Sequence, residues 1–126
     1  MGNVVVLQPL ESNCEDIERL LHRSAQAARE GKSARMDEML EGLAERMSGV
    51  SHAYRAGKWL SLALLAQDLG DHAQELGLNR MFRLAKVVVD QSGDGIPATL
   101  GATVARLIRL GDAALAAAWE QQDSQF

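Results

Sequence analysis

Ala66-Gln67-Asp68-Leu69-Gly70-Asp71-His72-Ala73-Gln74-Glu75-Leu76-Gly77-Leu78 is the stretch whose reading decides the fold. Its apolar residues recur at intervals of three and four, the period of an amphipathic helix, and the spacing extends back through Leu62 and Leu65. With successive residues set about 100° apart, Leu62, Leu65, Ala66, Leu69, Ala73 and Leu76 gather on one side, the expected core stripe. Leu60, Leu64, Gln67, Asp71 and Gln74 gather on the other. Gly77 stands where a left-handed residue would stop the helix.

Helical periodicity continues on both sides. Ile17, Leu20, Leu21, Ser24 and Ala28 share a face in a segment that opens on a capping-box pattern, Ser12-Asn13-Cys14-Glu15, and ends at Gly31. A second helix, from about Ser33 to Ala56, carries Met36, Leu40, Leu43, Met47, Val50 and Tyr54. Ala56-Gly57-Lys58 breaks it, and the central helix runs from about Trp59 to Leu76. A shorter fourth helix holds Met81, Leu84, Ala85, Val88 and Val89. Ser92-Gly93-Asp94-Gly95-Ile96-Pro97 reads as a loop. The last helix, about Ala98 to Gln121, offers Leu100, Val104, Leu107, Ile108, Gly111, Leu115 and Ala118 to a core. Short connections favour antiparallel neighbours. The expected fold is therefore all-α, an antiparallel four-helix bundle with an additional N-terminal helix. Residues 1–11 read as an arm and 12–126 as a single domain.

Composition narrows the function classes. The chain has 126 residues, a formal charge of −4 and no Lys/Arg run, which argues against a nucleic-acid partner. Its single cysteine, Cys14, cannot close an internal disulfide, so a reducing cytoplasm is the expected compartment. Leu60–Ala66 and Val87–Val89 are too short to span a bilayer, so no membrane role is expected. Met1–Leu7 lacks the basic start and cleavage site of a secretory signal. Asp68, Asp71, His72 and Glu75 share one helix but have no second arm to close a metal shell, so no metal or cofactor is expected. The serines lie in no nucleophile elbow, and Gly93-Asp94-Gly95 lacks the lysine of a phosphate-binding loop.

The central stretch resembles the signature helix of histidine-containing phosphotransfer (HPt) domains, roughly Ala-His-x-Leu-Lys-Gly-x-Ala-x-x-Leu-Gly-Leu. Ala66, Leu69, Ala73, Leu76, Gly77 and Leu78 fall in register with it. Ala56-Gly57-Lys58-Trp59 matches the small-residue turn that precedes that helix, and about Ser33 to Gln121 can be laid on the family's fold. The positions that carry the phosphoryl chemistry differ: histidine is Gln67, lysine is Gly70 and glycine is Asp71. A carboxamide does not attack phosphorus at neutral pH, Gly70 supplies no charge, and Asp71 adds bulk and a negative charge. His22, His52 and His72 lack a matching environment.

The resemblance implies a scaffold kept and a reaction lost. The protein is expected to be no enzyme, and to bind the receiver domain of a response regulator or hybrid histidine kinase in bacterial two-component signalling. The implied contact is Leu60, Ala63, Leu64, Gln67, Gly70, Asp71 and Gln74. Three occupants of that face stay open: the N-terminal helix, a receiver, or a second copy in a homodimer. The alternative function is a helical adaptor or assembly protein that uses the same helices for dimerisation or scaffolding.

Overall fold

Three glycines divide most of the chain into helices. Gly31, Gly57 and Gly77 adopt φ of 74°, 68° and 80°, a region that costs other residues energy. Each closes the helix before it through its successor: Lys32 N–H donates to Ala27 (2.7 Å), Lys58 N–H to Ala53 (3.0 Å) and Leu78 N–H to Ala73 (2.9 Å). These bonds satisfy carbonyls that the helix end would leave open.

The computed structural model describes residues 14–94 and 97–124. They form α1 (Cys14–Arg29), α2 (Ser33–Arg55), α3 (Trp59–Glu75), α4 (Asn79–Asp94) and α5 (Pro97–Asp123). Among the described residues there is no strand, and the all-helical expectation holds. The N-terminal arm and the Ser12–Asn13 half of the capping box lie outside them. No helix among the described residues is long and apolar enough to cross a membrane.

One boundary differs from the sequence reading. The loop expected over Ser92–Pro97 contracts, because α4 continues through Asp94 and α5 begins at Pro97. The Ser92 hydroxyl is buried and donates to the Val88 carbonyl (2.7 Å), which keeps the polar side chain inside a helix. Pro97 suits a first helical position, where no amide donor is needed.

Helix packing follows the chain. α3 lies against α4 and α2, and α5 lies against α4 and α2. The α3–α4 contact is the most extensive, and the helices run back along each other so that Gly70 faces Ala85 and Phe82. The core takes Met36, Leu40, Leu43, Met47 and Val50 from α2, and Leu62, Ala66, Leu69 and Ala73 from α3. Met81, Ala85 and Val88 join from α4, and Leu100, Val104, Leu107, Ala114, Leu115 and Ala118 from α5. Several residues expected on buried faces are only partly buried: Ile17, Leu21, Tyr54, Leu65, Leu84, Val89 and Ile108. Leu65 lies at the α2 boundary over Gly49. Ala28 is exposed, because α1 turns its Asp16–Leu20–Ser24 edge inward.

α1 sits at one end of this array. Its Arg23 donates to the Glu75 carbonyl (2.8 Å), its Asp16 accepts from the Arg80 N–H (2.8 Å), and its Leu21 carbonyl accepts from Gln121 (3.1 Å). These partners mark the end of α3, the start of α4 and the end of α5. That end is the one opposite Leu60.

Candidate functional site

The α3 helix has four sides, set by what packs on them. Leu62, Ala66, Leu69 and Ala73 point to the core. Gly70 points to α4, where a Cβ would stand 3.0 Å from that of Ala85. Toward α2, the His72 Nε2 lies 2.7 Å from the Met39 carbonyl, a distance at which an Nε2–H donates to it. The fourth side is open. Leu60 is 78% and Leu64 66% exposed, one helical turn apart, and Gln67, Asp71 and Gln74 are exposed with them.

This face changes character along its length. Its first turn is apolar, with Trp59 (38% exposed) beside Leu60 and its ring tilted at 6.1 Å from that of Tyr54. Trp59 was missed in the sequence reading as a partly exposed aromatic next to the patch in sequence. Its place at the start of an amphipathic helix, one residue before Leu60, was the available signal. The later turns are polar. The Gln67 carboxamide donates to the Asp71 carboxylate at a long 3.4 Å, and Asp68 pairs with Arg46 of α2 at 2.9 Å. Exposed leucines gain nothing from the core. Covering one by a partner is worth on the order of 1.5–3 kcal/mol.

Of the residues expected in the contact, Gly70 is buried and Ala63 half-buried. Gly70 lies at the α3–α4 contact and cannot touch a partner on the open face, and Ala63 lies at the same edge. The physical reason is phase: both lie about 60–100° from the core direction, where α4 covers the helix. Gly70 is therefore a packing residue, needed because α4 approaches too closely for a larger side chain. Leu60, Leu64, Gln67, Asp71 and Gln74 do form one surface. The α1 helix does not cover them, since its contacts lie at the other end of α3.

Gln67 and Asp71 share one long hydrogen bond, and the Gln67 carboxamide is not a nucleophile at neutral pH. His72 is turned away toward α2, while His22 and His52 are exposed on α1 and α2. Among the described residues no group of three or more His, Cys, Asp or Glu is placed to hold a metal ion. No protein family matches the chain, and neither a curated protein nor a solved structure matches it.

Proposed function

We propose that this protein is a non-catalytic binding module, an HPt-like antiparallel four-helix bundle formed by α2–α5 with α1 added, which docks a receiver domain through the open face of α3. The observation that carries this reading is the exposure of Leu60 and Leu64 in line with Gln67, the position that matches the family's phosphoacceptor histidine. An apolar pair beside the lost nucleophile is what a module would keep if it still docks but no longer reacts. The contact is then Leu60, Leu64, Gln67, Asp71 and Gln74, with Trp59 at its rim. Gly70 supports it from beneath by holding α4 close. Such a module competes for a response regulator or biases a sensor kinase, with no cofactor and no phosphate exchanged.

The test titrates purified receiver domains of two-component regulators against the protein by calorimetry. A receiver is expected to bind, and Leu64→Asp to weaken it about 100-fold or more, the loss of a central contact. No acid-labile phosphate should appear on the protein when the receiver is phosphorylated. Stoichiometric phosphohistidine on His22, His52 or His72 would overturn the non-catalytic reading. Absence of receiver binding, with a tight dimer that dissociates on Leu64→Asp, would replace it with the adaptor or assembly reading.

A further inference from the structure

We infer that α1 is a separable latch, packed on α5 and α2 and tied by polar bonds to the α3–α4 corner, opening and closing while α2–α5 stay folded. This inference stands apart from the receiver reading. Only one large apolar side chain of α1, Leu20, is fully buried; Ile17 and Leu21 are partly buried. The other inward positions are polar, Asp16 and Ser24. A helix with so little buried apolar area has little of its own to resist opening.

Polar bonds to helix ends hold it instead. Asp16 accepts from the Arg80 N–H in the first turn of α4, supplying an acceptor that this helix start needs. Arg23 donates to the Glu75 carbonyl (2.8 Å) and Arg19 more weakly to that of Gly77 (3.5 Å), both at the end of α3, while Arg19 also pairs with Asp16. Charge-assisted bonds of this kind are roughly twice as strong as neutral ones, so losing one changes the opening of α1 measurably.

The rest of α1 is ready to swing. An open cleft of about 280 Å³ separates its second half from the start of α2, between Arg23, Gln26 and Ala27 on one wall and Arg35, Met36 and Met39 on the other. The connection passes through Gly31, with φ of 74° and no heavy atom within 4 Å of where a Cβ would be. The joint is closed by the Lys32 N–H bond to the Ala27 carbonyl (2.7 Å), a bond internal to the end of α1, and no side chain packs against Gly31.

Hydrogen exchange on the whole protein, read by mass spectrometry, tests the latch. Backbone amides of α1 are expected to exchange about 100-fold faster than those of Leu69–Ala73, as a sub-global opening requires. Asp16→Ala should speed α1 by a further factor of about ten, the loss of a charge-assisted bond, and leave α3 unchanged. Asp16→Asn retains a carbonyl acceptor for Arg80 N–H and should recover most of the protection. One common exchange rate for α1 and α3 in the native protein would overturn the proposal. So would an Asp16→Ala variant in which α2–α5 accelerate as much as α1.

Discussion

Leu62 and Leu64 are the same residue type, two positions apart on one helix, and one is fully buried while the other is 66% exposed. Leu69 and Leu60 repeat the contrast, at 0% and 78%. Composition cannot separate these residues. Rotation about the helix axis does, because α2, α4 and the core take three sides of α3 and leave the fourth open. Two leucines on the open side contribute nothing to the core.

The largest effect is expected from breaking the covered side. Leu69→Asp places a charge where no partner and no water can reach it, and should cost about 4 kcal/mol or more. That is comparable with the whole stability of a small domain, about 5–15 kcal/mol. Circular dichroism should show loss of helix at 25 °C or a steep fall in Tm. Leu64→Asp should leave both within error. Equal loss in the two variants would mean that the open face is in fact covered in solution. Leu65 is no substitute for Leu69 in this test, since its partial burial lets a carboxylate reach solvent.

A middle-sized effect sharpens the boundary between the two sides. Gly70→Lys restores the charge that the family pattern carries, but its Cβ would meet that of Ala85 at 3.0 Å. Forcing the helices apart is expected to cost about 1–3 kcal/mol, measured as a lower urea midpoint with an unchanged slope. A midpoint equal to that of the parent would show that the α3–α4 contact yields easily. Tests for phosphoryl acceptance should therefore begin with Gln67→His and Asp71→Gly, leaving Gly70 in place.

The smallest effect lies far from α3. The Glu30 carboxyl is held below its ordinary value of 4.5, first by the Gln26 amide that donates to it and then by Lys32. A depressed carboxyl contributes stability that is present above its unfolded value and is lost as pH falls through the folded one. Lowering pH below 4.5 should thus loosen the α1–α2 connection, seen as faster exchange at residues 27–32, while α3 remains protected. Because Glu30 is exposed, the change should be small, and Gln26→Ala should reduce it further while leaving the part due to Lys32.

Much of the architecture was legible from the chain alone. The Gly31, Gly57 and Gly77 breaks were readable because a left-handed stop needs a residue without Cβ, and each appears just where the helical period ends. The core residues of α2 and α5 were readable from spacing, with Tyr54 and Ile108 at the edge. The α4 end was not, since Ser92-Gly93-Asp94 carries loop-forming residues that a hydroxyl-to-carbonyl bond accommodates within a helix.

The candidate surface was legible only in part. Sequence determined that Leu60, Leu64, Gln67, Asp71 and Gln74 share a face, because helical phase is a local property fixed by about 100° per residue. It also determined that Gln67 offers no nucleophile, which is a matter of side-chain chemistry. Tertiary structure alone decided that α4 takes the side bearing Gly70 and Ala63, that His72 turns to α2, and that α1 caps the far end of α3. Those outcomes depend on which neighbour arrives at which angle, and helix period carries no information about neighbours.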